Sequence, residues 1–166
     1  MISFIESFRQ ELEIEAVQTR RMLKIVPEDK MDWRPHPKSM KIKSLAMHIA
    51  EMPLMIALAL KYPRWDFANS PYPAVKCNTV EELMNRYEYS ISEAKNALAD
   101  TKDDILEEPW SMGMGDVTYF AMPRWQAVRH AFGQNAHHRA QLQVCLRLLN
   151  IPVPGPYGPS ADEMDG

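Results

Sequence analysis

Apolar residues recur at three- and four-residue steps in four long segments of the chain. This spacing places them on one face of an α-helix, which turns once every ~3.6 residues. The segments predict helices from about Ser3 to Val26, Ile42 to Leu60, Thr79 to Asp100 and Pro123 to Asn150. No segment shows the sustained apolar–polar alternation that is typical of a half-buried strand. The pattern therefore predicts an all-α protein with four long helices.

Signals for helix ends agree with these boundaries. Ser3 is followed three residues later by Glu6, and Thr79 by Glu82, which is the spacing of a capping box. Pro53 falls inside the second predicted helix, where a proline removes one backbone hydrogen bond. We therefore expect two capped helices and one bent helix.

The connections between the predicted helices are rich in proline and glycine. Residues 27–40, 62–78 and 107–122 are predicted to be loops. Because two of the three connections are long, they permit crossovers rather than simple up-and-down winding. The chain has 166 residues and no internal repeat. It fits a single domain, residues 1–166, folded as a four-helix bundle.

Composition narrows the possible functions. Nineteen basic and 22 acidic residues give a net charge of -3, so the basic excess of a typical nucleic-acid-binding protein is missing. The longest apolar stretch, Met52 to Leu60, is too short to cross a bilayer. The first residues do not resemble a signal peptide, and Cys77 and Cys145 form no C-x-x-C motif. We expect a cytoplasmic protein with no nucleic-acid and no membrane partner.

Two histidines lie on the apolar stripes of different predicted helices. His48 lies between Leu45 and Met52, and His138 lies four residues before Leu142. A buried imidazole needs a polar partner, because an unpaired buried polar group costs roughly 1–3 kcal/mol. Facing helices of a bundle are also where metal sites are built. The two histidines therefore indicate either a metal site completed by a third side chain or hydrogen-bonded polar residues of the core.

Other polar residues near these positions are weaker candidates. His130 lies near the same face of the fourth helix, whereas His137 is expected to point away from it and His36 lies in a predicted loop. Glu51, one turn after the second-helix histidine, is a candidate general base, although a helical glutamate is more often a surface charge or an ion-pair partner. Arg139 is expected to anchor the bundle through an ion pair, with an anionic ligand as the alternative partner.

Two widely separated segments of the chain resemble one family of helical proteins. Residues 26–40 read VPEDKMDWRPHPKSM and lead into SLAMHIAE at 44–51. Residues 136–163 read AHHRAQLQVCLRLLNIPVPGPYGPSADE. Both segments resemble the DinB-like family, also called the DinB/YfiT-like superfamily, and they occur in the family's order. The tail from Val153 to Glu163 is the more specific signal, and the four-helix pattern extends the resemblance over nearly the whole chain.

The resemblance implies a four-helix bundle of up-down-down-up topology that commonly forms a homodimer. It also implies a zinc or nickel ion held by three histidines, the first of which is His48 here. The other two form an H-x-x-x-H pair, in which His138 fills the second place and Gln134 stands in the first. An amide oxygen is a weaker ligand for these metals than imidazole. Gln134 could therefore bind weakly, hold a metal-bound water, or mark a site that has decayed.

The resemblance implies a metal-dependent enzyme similar to the superfamily's thiol S-transferases, among them bacillithiol transferases and mycothiol-dependent isomerases. In that mechanism, the metal lowers the pKa of a low-molecular-weight thiol, and the thiolate attacks an electrophilic small-molecule substrate. Metal-assisted hydrolysis is a close variant. The alternative is a catalytically silent, stress-related binding or dimerisation module with a decayed metal site. In that case Trp33, Trp65 and Trp110 are expected to line a binding surface.

Overall fold

The computed structural model describes residues 3–72 and 75–164, which are mostly helical. The helices are α1 (Phe4–Leu23), α2 (Ile42–Lys61), α3 (Val80–Ala99), α4 (Arg124–Leu148) and the short α5 (Ala161–Met164). The strands are β1 (Arg64–Asp66), β2 (Pro109–Met114) and β3 (Val117–Pro123). Single turns of 3-10 helix occur at Glu28–Lys30, Phe67–Asn69 and Asp103–Ile105. The four long helices lie where the apolar spacing predicts them, to within three residues at each end.

Side chains cap two of the helices as the sequence predicts. At the start of α1, the Ser3 hydroxyl accepts a hydrogen bond from the backbone N–H of Glu6 at 3.3 Å. At the start of α3, Thr79 and Glu82 form a complete capping box, in which each side chain accepts from the backbone N–H of the other residue. These bonds satisfy donors that the first turn of a helix leaves unpaired.

The start of α1 has a second cap from a distant part of the chain. The Asp103 carboxylate accepts hydrogen bonds from the backbone N–H groups of Phe4 at 3.0 Å and Ile5 at 2.9 Å. It also accepts from the Ser3 hydroxyl at 2.8 Å. These donors lower the pKa of Asp103, and the Ile5 N–H has the largest effect. The carboxylate thereby ties the first helix to the segment that follows α3.

α2 is the central helix of the fold. It packs against α3 and α4, and α1 contacts the same two helices. Every residue from Met52 to Leu60 is buried, including Pro53. By length and composition the whole helix could cross a membrane, but 72% of its most apolar window is buried inside the protein, as in a core helix. The up-down-down-up order and the single-domain assignment stay predictions.

The prediction of a loop at residues 107–122 is wrong, because this segment contains a β-hairpin. β2 and β3 pair antiparallel, and β1 pairs in parallel with the other edge of β2. Gly115 in the turn has φ +55°, a backbone conformation that glycine adopts without strain. At Gly113, a Cβ atom would collide with the carbonyl oxygen of Val117. The fold is therefore mostly helical with a small sheet, and not purely all-α.

The C-terminal tail (residues 151–164) is fastened to the helices by two ion pairs. Arg147 of α4 holds Asp162 with an N–O distance of 2.5 Å, and Arg21 of α1 holds Glu163. The hydrogen bond from Arg147 is the largest of the effects that lower the pKa of Asp162 to about 2. Backbone N–H groups of the tail lower the pKa of Glu163 to about 2 as well. The tail is thus docked by groups that are charged at neutral pH.

Candidate metal and catalytic site

His48 of α2 and His138 of α4 are neighbours in the structure. Their ring centroids lie 4.5 Å apart, and the ring planes meet edge to face at 74°. Both side chains are half-buried, so the pair lies between two helices and is still open to solvent. The two apolar stripes of the sequence therefore do bring these histidines together. Their role as metal ligands stays a prediction.

The surroundings of His48 favour its neutral form. Burial lowers the pKa of His48, and the nearby His138 lowers it further. Neither ring nitrogen of His48 has a hydrogen-bond partner within residues 3–72 and 75–164. A neutral imidazole with a free nitrogen lone pair is the form that binds a metal or accepts a proton.

Gln141, which no sequence pattern singles out, connects the two consecutive histidines of α4. Its Oε1 lies 2.9 Å from Nδ1 of His138, and its Nε2 lies 3.0 Å from Nε2 of His137. The rings of His137 and His138 are themselves 4.9 Å apart. Residues three and four apart on a helix are neighbours, and that spacing could have revealed this contact. His137 is exposed, as expected, but reaches the site through Gln141.

Gln134 lies one helical turn before His138 and is half-buried. Its side-chain amide makes no hydrogen bond within the described part of the chain. Among the same residues, no three His, Cys, Asp or Glu side chains are grouped closely enough to hold a metal ion. The structure therefore brings together two imidazoles, and the Gln134 amide lies one helical turn from His138.

The remaining two histidines make contacts with other parts of the chain. The ring of His130 packs against Phe120 of β3, with centroids 5.8 Å apart. His36 is exposed in the loop before α2, where its Nδ1 accepts a hydrogen bond from the backbone N–H of Lys38 at 3.1 Å. His130 therefore belongs to the contact between α4 and the hairpin, and His36 to a local turn.

Glu51 is engaged in an ion pair with α3. Its Oε1 lies 2.7 Å from one terminal nitrogen of Arg86 and accepts a hydrogen bond from Arg86 Nε at 2.9 Å. The structure shows no hydrogen bond between Glu51 and His48 within the described residues. The geometry agrees with the ion-pair interpretation of Glu51, and its role as a general base stays a prediction.

A cavity of about 380 Å³ opens beside His138. It is lined by Pro35, Ser39, Met40, Leu45, His138, Gln141, Val144 and Cys145. None of these side chains is an acid, a lysine or an arginine, so the cavity suits a largely apolar, uncharged group. Burial raises the pKa of the Cys145 thiol, which keeps it protonated and a poor nucleophile at neutral pH.

The three tryptophans proposed for a binding surface do not share one. Trp110 of β2 has only 1% of its surface exposed and is part of the core, so its assignment to a binding surface is wrong. Trp65 of β1 is half-buried and packs against Phe67 with ring centroids 4.3 Å apart. Trp33 is half-buried before α2 and packs against the core. Their common role is packing.

Comparison with known proteins identifies the family. Residues 1–165 match the DinB family. The chain belongs to the DinB family. Its fold is shared by a DinB-like protein from Bacillus cereus, at 21% identity and a TM-score of 0.70, with 93% of this chain and 99% of that chain covered. A DinB-like protein from Bacillus subtilis has a TM-score of 0.72 at 14% identity, covering 90% of this chain and 97% of that chain.

One similar structure outside these DinB-like proteins is an enzyme. It is a mycothiol-dependent maleylpyruvate isomerase, with 14% identity and a TM-score of 0.61. The alignment covers 86% of this DinB chain and 63% of that enzyme. At such identities the likeness shows a common fold. No curated protein matches the sequence.

Proposed function

We propose that this DinB protein is a metal-dependent enzyme that transfers a low-molecular-weight thiol to an electrophilic small molecule. The observation that carries this proposal is the contact between His48 and His138, the second of which lines a cavity without charged side chains. The fold shared with a mycothiol-dependent isomerase supports the choice of a thiol as cofactor. Metal-assisted hydrolysis is the variant reaction for the same site.

The donor set fits a borderline metal incompletely. Imidazole nitrogen is a preferred ligand of zinc and nickel, and His48 and His138 would supply two such atoms. The carboxamide oxygen of Gln134 or a water molecule would have to supply a third donor. Because neither is as good a ligand as imidazole, we expect weaker binding than at a site of three histidines.

A bound zinc or nickel ion would supply the positive charge that keeps a thiol sulfur deprotonated at neutral pH. The lowered pKa of His48 keeps this imidazole free of a competing proton. The side chains of Met40, Leu45 and Val144 would hold the apolar part of the substrate and exclude water from it. The thiol proton would leave to solvent, since the site is only half-buried.

The proposal extends to the setting of the enzyme. We propose a cytoplasmic homodimer acting on a small molecule, with no nucleic-acid and no membrane partner. The net charge of -3 supports the exclusion of nucleic acid. Light scattering of purified protein tests the dimer, and a mobility shift with duplex DNA at low salt tests the exclusion.

Elemental analysis of tag-free protein is the decisive test. Wild type is expected to contain zinc or nickel, His138→Ala to lose it, and Gln134→His to bind it more tightly. His130→Ala is the matched control, since His130 lies on the same helix but packs against the hairpin. Conjugation of chlorodinitrobenzene to bacillithiol, mycothiol or glutathione should follow the metal content. Metal-free wild type with no thiol transfer on adding zinc or nickel would contradict the proposal.

A second candidate function is a catalytically silent binding or dimerisation module. The observation that favours it is Gln134 in place of a third histidine, together with the absence of a three-residue ligand cluster among the described residues. Thermal melting separates the two functions. In a silent module, His138→Leu should leave the melting temperature equal or higher, and zinc should stabilise neither protein.

A further inference from the structure

We infer that Gln141 is a positioning residue that fixes which nitrogen of His138 carries the proton. Gln141 Oε1 lies 2.9 Å from Nδ1 of His138, while Gln141 Nε2 lies 3.0 Å from Nε2 of His137. One side chain thus bridges two consecutive imidazoles. His138 is three residues and His137 four residues before Gln141, so both rings lie over the same turn of α4.

The chemistry of a carboxamide determines the direction of both hydrogen bonds. The Oε1 atom of Gln141 can only accept, so Nδ1 of His138 must carry the hydrogen. The Nε2 atom of Gln141 can only donate, so Nε2 of His137 must be the unprotonated nitrogen. Both neutral rings therefore have their proton on Nδ1. A neutral histidine side chain free in water carries it mainly on Nε2, so the bridge reverses the usual preference at both positions.

The consequence for His138 is a defined reactive atom. With its proton held on Nδ1, its Nε2 keeps a lone pair that has no hydrogen-bond partner within the described residues. The hydrogen bond to Gln141 also restrains the orientation of the His138 ring, and both side chains line the same cavity. As far as it concerns metal binding through Nε2, this inference rests on the proposed function. The inferred position of the proton on His138 does not depend on the proposed function.

Nitrogen NMR of histidine-labelled, tag-free and metal-free protein tests the proton position directly. At about pH 8.5, above the ordinary histidine pKa, the wild-type spectrum should show Nδ1–H for both His137 and His138. Gln141→Leu should return both rings toward Nε2–H. Gln141→Glu should keep Nδ1–H at His138, because a carboxylate still accepts, but should release His137, because it cannot donate.

Gln143→Leu is the matched control, because Gln143 lies on the same helix and reaches the carbonyl of Pro154 instead. It should leave both histidine spectra as in wild type. Circular dichroism checks that each variant is folded, which is expected because Gln141 is exposed. Wild-type His138 with its proton on Nε2, or a Gln141→Leu spectrum equal to wild type, would overturn the inference.

Zinc titration of the same proteins separates this inference from the proposed function. Gln141→Leu is expected to weaken zinc binding about 10–100-fold, the usual cost of removing a group that orients a ligand. Gln141→Glu should bind at least as tightly as wild type. If wild type binds no zinc while the NMR pattern holds, the proposed function fails and the role of Gln141 stands. If zinc binds equally to all variants, Gln141 does not position the ligand.

Discussion

Two consecutive residues of α4 have opposite surroundings. Arg139 is 2% exposed. Its guanidinium forms an ion pair with Glu15 at 2.7 Å and donates hydrogen bonds to the hydroxyl groups of Thr19 and Tyr157, at 3.1 and 2.7 Å. His138, the preceding residue, is half-buried, contacts another histidine and leaves one ring nitrogen without a hydrogen-bond partner among the described residues.

The comparison distinguishes polar groups that stabilise the fold from polar groups that remain available to bind a ligand. The guanidinium of Arg139 has several partners around it, and its ion pair with Glu15 anchors α1 to α4, as predicted from the sequence. The free nitrogen of His138 costs little because the side chain is only half-buried and lines a cavity. Partners already in place stabilise a fold, whereas a lone pair without a partner can bind a ligand.

The largest expected effect is the loss of stability when Arg139 is replaced, because its guanidinium already has partners. Arg139→Met should lower the free energy of unfolding by about 3–5 kcal/mol, because Glu15 would remain buried without its cation. Urea unfolding followed by circular dichroism measures the loss. Arg129→Met is the matched control on the same helix: Arg129 pairs with Glu11 at the surface, where a loss below ~1 kcal/mol is expected. Similar losses of unfolding free energy in the two variants would contradict the view that the buried ion pair stabilises the fold more than the surface pair.

Replacement of His138, which has a free ring nitrogen, should have the opposite effect: little change in stability and a loss of zinc affinity. His138→Ala is expected to change the stability of the metal-free protein by no more than about 1 kcal/mol but to weaken zinc binding at least about tenfold. Thermal melting of the metal-free protein and a zinc titration measure the two quantities. If His138→Ala strongly destabilised the metal-free protein and left the zinc affinity unchanged, the role of His138 would be structural.

Measurements of stability and of the rate of thiol conjugation can decide whether Glu51 is a structural residue or a general base. The Arg86 side chain is 7% exposed and that of Glu51 33%. Glu51→Gln should therefore lower the free energy of unfolding by about 1–2 kcal/mol, since it weakens a charged hydrogen bond, and leave the rate of thiol conjugation unchanged. A general base would behave differently, with a rate loss of about 10²–10⁴-fold.

The smallest effect concerns the tail that supplies Tyr157 to Arg139. A carboxylate whose pKa is lower in the folded than in the unfolded protein stabilises the fold at pH values above its ordinary pKa of ~4. This stabilisation is lost as the pH falls from ~4 through the lowered pKa. With the pKa of Asp162 at about 2, the tail should detach between pH ~4 and ~2. NMR signals of Gly155 and Gly158 report it. Asp162→Asn should loosen the tail already at pH ~7; a tail unchanged at pH ~2 would contradict this.

The four helices could be predicted because apolar residues recur at helical spacing in each of them, including α2, in which Met52–Leu60 is buried on all sides. The hairpin could not, for a physical reason. Residues 117–121 of β3 are exposed on both faces, so nothing imposes an alternation of apolar and polar residues. The strand is specified instead by pairing with β2 and by the turn at Gly115. Strand pairing of this kind leaves little trace in the spacing of apolar residues.

The candidate site was predictable only in part. His48 and His138 interrupt apolar stripes, which is a signal that sequence shows directly. Gln141 was missed because it is an exposed polar residue on a helix, which ordinarily needs no explanation. The ion pair of Glu51 depends on how α2 and α3 are juxtaposed, and the burial of Trp110 depends on a hairpin that the pattern did not reveal.

The cap on α1 has a consequence for biosynthesis. The first turn of α1 is synthesised before Asp103, which holds it and lies 98–100 residues further along the chain. At bacterial or eukaryotic rates of roughly 5–20 residues per second, the helix start lacks this partner for several seconds. During that interval, the apolar side chains of Ile5 and Phe8, buried in the finished protein, are available to chaperones. The second cap on α1 therefore forms only after Asp103 has been synthesised.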